Sequence, residues 1–328
     1  MGKVNEYKLQ EEINAPVVCE PQMNWGGPWT EKKLEAFEKY VSAYLTIMKK
    51  HAIKNGWTLF YFDAFAGSGS RETGIENLTD EKDLLFSYEE IKDITNQTSY
   101  KGAAERVLEI DIDGFSFNYY YFVDKDENSL LALKSKLNSK FPNKSNCMAF
   151  KPGDANEKIL ELVNYIKTHP KCAALVLLDP FGMQLNWETI QALKDIKHID
   201  LWILVPSGVI INRLLTKSGK ILCPERLEKS FGMPISEIKK YFYEQVTEQS
   251  LFGEFTHQKK RDNTINRIAQ LYLDLLSNEF AHVIKKPLVL TNSTNCPIFH
   301  FVFASHNKIG VKIASEIVGK KTEKNENH

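Results

Sequence analysis

The 328 residues include 42 basic and 42 acidic side chains, with 43% hydrophobic and 26% charged residues overall, which supplies a sizeable core and excludes a mainly disordered chain. Zero net charge excludes a strong overall field for nucleic acid or anionic membrane, so any such site must be a local patch. The five cysteines, Cys19, Cys147, Cys172, Cys223 and Cys296, are odd in number and form no C-x-x-C pair. With a polar amino-terminus and no long apolar run, they predict a cytoplasmic protein with reduced thiols, no metal site and no membrane span.

After a polar leader over 1–28, residues 29–51 place Leu34, Phe37, Val41, Tyr44, Leu45 and Met48 at helical spacing, with Thr30 as an N-cap. T-L-F-Y-F-D-A-F then reads as a buried strand stopped by Ala66-Gly67-Ser68-Gly69. Residues 71–118 read as an insertion plus the first crossover helix, near 102–110. N-Y-Y-Y-F-V-D predicts a strand ending at Asp124, and residues 127–137 a helix. A strand at 147–150 leads through Gly153-Asp154-Ala155-Asn156 into a further helix. C-A-A-L-V-L-L-D-P-F-G is almost wholly apolar until Asp179, and H-I-D-L-W-I-L-V-P-S-G reads as the next strand after a helix over 187–195. Strands alternating with helices predict a doubly wound, Rossmann-like parallel sheet. Residues 209–286 read as a helical insert, 287–320 return to the core as a strand, turn and helix, and 321–328 form a flexible tail.

Ligands of open α/β sheets bind in the crevice at the carboxyl ends of the strands, where glycine lets the backbone approach closely. Asp63, Phe65, Gly67 and Gly69, in D-x-F-x-G-x-G, are therefore candidate cofactor-binding residues, though a tight βα turn uses glycine for purely structural reasons as well. Asp124 either accepts the ribose hydroxyls of a nucleoside cofactor or caps the following helix. Asp154 either accepts an adenine amino group or caps its helix. Asp179-Pro180-Phe181-Gly182 exposes a carboxylate and a carbonyl that can orient an amino group, with Phe181 placed to stack on a ring; alternatively Phe181 belongs to the core. Lys259, Lys260, Arg261 and Arg267 form a basic patch that either touches phosphates or is a solvated face. Cys296 and His300 fall on one strand face, as a core cysteine and a hydrogen-bonded histidine.

In order, D-x-F-x-G-x-G, the strand-end Asp124, G-D-A-N and D-P-F-G resemble the motifs of class I S-adenosylmethionine (SAM)-dependent methyltransferases, and D-P-F-G is similar to the catalytic turn of tRNA guanine-N2 methyltransferases. Over roughly 29–318, W-x-x-x-K-L, Y-F-D-A-F-A-G-S-G, V-D-K-D and F-A-S-H-N-K-x-G resemble the three-Cys-motif partner family, TcmP. The resemblance implies a class I methyltransferase fold with helical insertions, SAM held by Asp63, Gly67, Gly69, Asp124 and Asp154, and a partner carrying a three-cysteine motif. Amino-nitrogen methylation of an RNA or DNA base, with Asp179 orienting the acceptor, is the corresponding expectation; a SAM-binding scaffold for that partner is the alternative. The Pro-Cys nucleophile of carbon-5 cytosine methylation is absent, and no N-P-P-Y or D-P-P-Y occurs.

Overall fold

The computed structural model describes residues 28–68, 101–250 and 253–326. The leader and residues 69–100, which include Gly69 and most of the expected insertion, lie outside them. The first helix, α1 (Pro28–Asn55), buries the expected apolar stripe. Pro28–Thr30 are already helical, so Thr30 lies inside the helix rather than capping it. Gly56, at φ +66°, ends it by donating to the Ala52 carbonyl at 2.8 Å.

Five parallel strands follow in the order β3-β2-β1-β4-β5: β1 (Thr58–Asp63), β2 (Tyr119–Asp124), β3 (Met148–Pro152), β4 (Cys172–Leu178) and β5 (Ile199–Val205). Beside β5 runs the antiparallel β10 (Pro297–Ser305), flanked by β8 (His282–Val283) and β9 (Leu288–Thr291). The expected doubly wound, Rossmann-like sheet is therefore present. Strands β4 and β5 are buried along their whole length, as interior parallel strands covered on both faces must be. The remaining helices are α2 (Ala103–Glu109), α3 (Glu127–Lys140), α4 (Ala155–Thr168), α5 (Trp187–Leu193), α6 (Pro224–Phe231), α7 (Ile235–Phe242), α8 (Thr264–Glu279) and α9 (Lys308–Glu326), with a three-residue turn at Asn212–Leu214.

The stretch 209–286, expected to be helical, also contains an antiparallel hairpin, β6 (Tyr243–Ser250) with β7 (Gly253–Lys260). Val246, Thr247 and Thr256 supply its β-branched character, while the Glu and Gln residues between them mask an alternating pattern. Strand β8 joins the main sheet, so the chain returns to the core shortly before residue 287.

F-A-S-H-N-K-x-G has an architectural role. Ser305 Oγ and Tyr40 OH donate to opposite oxygens of the buried Asp200, at 2.5 and 2.7 Å, and Ser305 Oγ also accepts from the Asn307 N–H. His306 accepts from Ala281 N–H through Nδ1 and donates to the Lys194 carbonyl through Nε2. Gly310 leaves room for Tyr40, whose OH would stand 2.9 Å from an added Cβ. The motif thus joins β10, α9 and α1 near the amino end of β5, away from the carboxyl edge. Among the described residues, no helix is long and apolar enough to cross a membrane.

Candidate functional site

The chain turns from β1 outward to β2 and β3, then returns to place β4 on the other side of β1. That reversal opens a crevice at the carboxyl edge. Register decides which side chains share it. Asp63 aligns with Phe122 on β2 and with Leu177 on β4; Asp124 and Asp179 each lie two residues beyond those partners. With a side-chain period of two, all three carboxylates therefore belong to the same face, the one covered by α1. Phe37 and Tyr40 of α1 confirm that face by packing on Tyr61 and Trp202.

Asp63 is almost fully buried, accepting from the Phe65 N–H and from Tyr61 OH, both at 3.2 Å. Burial, followed by the negative charge of Asp179, pushes its pKa up to about 7, against the smaller opposing effects of its hydrogen bonds and Lys33. A folded-state pKa above the unfolded 3.8 means that the folded protein binds the extra proton. Stability is then greatest below the unfolded value and falls as pH rises toward about 7. In urea unfolding, wild type is expected to lose stability relative to Asp63→Asn by about 1.4 kcal/mol per pH unit from about pH 5 to about pH 7. Parallel pH profiles for the two proteins would contradict the burial of an uncompensated carboxyl group.

Gly67 follows in the left-handed region, φ +60°, which disfavours other residues. No described atom lies within 4 Å of where a Cβ would stand on it, so among the described residues the space beside the turn is open. Its N–H donates to Asp124 Oδ2 and the Asp126 N–H to Asp124 Oδ1, both at 2.8 Å. Asp124 therefore clamps the β1 turn to the end of β2. The helix-capping role falls to Asp126, which accepts from Asn128 N–H, Ser129 N–H and Ser129 Oγ. Asp124 is only partly buried, and although the Lys125 N–H also bonds to its carboxylate, lone-pair capacity remains for a ligand. Asp154 caps α4 by accepting from the Asn156 N–H at 2.8 Å, which engages one of its two oxygens.

Asp179 has a partner that none of the sequence-based expectations named. Lys33 Nζ donates to Asp179 Oδ2 at 2.5 Å, from a side chain only 7% exposed. Its signal was nevertheless readable: Lys33 sits in W-x-x-x-K-L, on the helical stripe with Trp29 and Phe37, where a cation must find a counter-charge. Pro180 is buried, whereas Phe181 is 71% exposed, so the alternative of a core Phe181 fails and its ring is open to solvent.

Elsewhere, Arg261 donates to the Tyr243 carbonyl and pairs with Glu244, Arg267 donates to the Asp262 carbonyl, and Lys260 donates to Asn212. Of the expected basic patch, Lys259 is exposed, whereas Lys260, Arg261 and Arg267 are half-buried. His300 Nδ1 lies 2.7 Å from Ser207 Oγ, and burial lowers its pKa to about 4, as expected of a neutral core histidine. Cys296 is exposed and precedes β10, so it does not share a strand face with His300.

No family model matches the sequence, and no curated protein matches it. Among solved structures, a conserved hypothetical protein of Streptococcus pyogenes is 12% identical with a TM-score of 0.26, over 65% of this chain and 94% of that one. A Legionella pneumophila str. Philadelphia 1 protein of family DUF519 is 16% identical with a TM-score of 0.34, over 83% of this chain and 96% of that one. The DszA carbon methyltransferase is 12% identical with a TM-score of 0.34, over 83% of this chain and 54% of that one.

Proposed function

We propose that this protein binds SAM at the carboxyl edge of β1 and β2 and transfers its methyl group to an amino nitrogen, that of a nucleic-acid base. One observation carries the reading: three strand-end carboxylates share one face around the open, left-handed Gly67, with the exposed Phe181 beside them. These residues fit the cofactor. Gly67 leaves space for close approach, Asp124 keeps lone-pair capacity for a ribose hydroxyl, and Asp63 is a buried carboxyl group, with its pKa pushed up to about 7, whose ionised form a cationic ligand would favour.

SAM supplies a methyl group already activated on a sulfonium, so the protein needs no covalent nucleophile. Asp63, Phe65 and Gly67, with Gly69 assigned from the sequence alone, would line the cofactor, Asp124 would hold the ribose, and the free oxygen of Asp154 would accept from the adenine amino group. Asp179 and the Pro180 carbonyl accept from the acceptor's amino group while Phe181 stacks on its ring, and Lys33 fixes the carboxylate of Asp179. Positioning and electrostatics do most of the work.

W-x-x-x-K-L and F-A-S-H-N-K-x-G favour a three-cysteine-motif protein as partner. A second reading, a SAM-binding scaffold for that partner, is favoured by the engagement of Asp179 with Lys33 and by Phe255, which is exposed on the β6–β7 hairpin. Incubation with methyl-labelled SAM and separate RNA, DNA and protein fractions distinguishes the two. Label in RNA or DNA is expected; bound SAM with no transfer to any fraction would leave the scaffold.

A further inference from the structure

The D-P-F-G turn touches the chain that leaves β5: a Cβ on Gly182 would stand 3.5 Å from Ile210 Cδ1. Two residues further on, Asn212 accepts from Lys260 Nζ through both its carbonyl and its side-chain oxygen, each at 2.7 Å. Two residues of chain span at most about 7 Å, so Lys260 is anchored on the rim of the candidate site.

The next loop is closed by the Leu215–Ile221 bridge and by the Thr216 N–H, which donates to the Lys220 carbonyl. It exposes Lys217 and Lys220. Its Gly219, at φ +82°, lies against β7, where an added Cβ would stand 2.9 Å from Gln258 Cβ. Lys217 and Lys220 are thereby held beside the end of β7 that carries Lys260. Residues 201–224 contain no Asp or Glu. Burial, followed by the repulsion of Lys217, lowers the pKa of Lys260 to about 8. Like charges gathered beside an exposed aromatic ring suit a ligand that is anionic along one edge and planar along the other.

We propose that the 216–220 loop and the adjoining end of β7 bind backbone phosphates of a single-stranded nucleic acid whose unstacked base reaches Phe181. A base in a duplex must first be unstacked and unpaired to reach the ring, at a free-energy cost that a single strand largely avoids, which favours a single strand. The inference rests on the reading of the D-P-F-G turn as the acceptor site.

Fluorescence anisotropy with a labelled single strand of about 12 nucleotides, RNA or DNA, tests it across a salt series. Lys217→Ala/Lys220→Ala is expected to weaken binding about tenfold and to make the slope of log K against log salt shallower by about 1.4, as for two lost phosphate contacts on a single strand. SAM affinity by calorimetry should not change in that variant. Lys197→Ala, at an exposed position preceding β5, should bind the strand like wild type. The proposal is overturned if wild type shows no salt-dependent strand binding, or if the double variant binds like wild type. It is equally overturned if Lys197→Ala loses as much, or if a mononucleotide competes as well as the strand. Failure of SAM binding with an intact loop effect would instead sink the methyltransferase reading and leave this surface standing.

Discussion

Lys33→Met is expected to destabilise the protein by about 3 kcal/mol, because it leaves the largely buried Asp179 carboxylate without its cation while keeping most of the packing volume. The consequences reach the neighbouring strand. Asp179 already raises the pKa of Asp63, and Lys33 opposes that effect; removing the lysine places two acids at one strand edge with no counter-charge between them. Adding Asp179→Asn to Lys33→Met removes the unpaired charge and should recover most of the loss. A double-mutant cycle in urea measures the coupling directly. Additive single losses would mean that the ion pair contributes no more than an exposed one, for which about 0 to 1 kcal/mol is usual.

Asp179→Asn alone has its largest expected effect on chemistry. It keeps the shape of the side chain and one acceptor oxygen, but removes the charge and the pairing with Lys33. Methyl transfer to the acceptor found by labelling should fall by about two orders of magnitude or more, as when a preorganised polar contact is lost. SAM affinity should stay within a few-fold, because the ribose and adenine contacts are assigned to Asp124 and Asp154. Single-turnover transfer measured beside a SAM titration separates the two quantities. Transfer at the wild-type rate would remove Asp179 from catalysis and favour the scaffold reading.

How far the sequence could be read depended on the range of the interaction. Strand ends were legible because the apolar run stops abruptly at Asp63, Asp124 and Asp179, and a polar residue closing an apolar run is a local signal. Gly67 was legible for the same reason, and its positive φ and open surroundings agree with a turn built for close approach. The competition between Asp124 and Asp126 for the helix cap was not legible, since both precede the same helix and only the backbone path decides which carboxylate meets the free N–H groups. Nor was the pairing of Lys33 with Asp179, across 146 residues of sequence. The β6–β7 hairpin escaped because its strands are mostly exposed on both faces and so carry no clear hydrophobic alternation.

The central claim, that the β1 turn and Asp124 form a SAM site, is tested most directly by calorimetric titration of SAM into wild type and Gly67→Val. Valine would fill the open space beside the turn and is disfavoured at φ +60°. The account predicts one SAM per chain for wild type and loss of measurable binding in the variant, with a folded far-UV spectrum in both. Undetectable binding to wild type, or equal affinity in the two proteins, would contradict it.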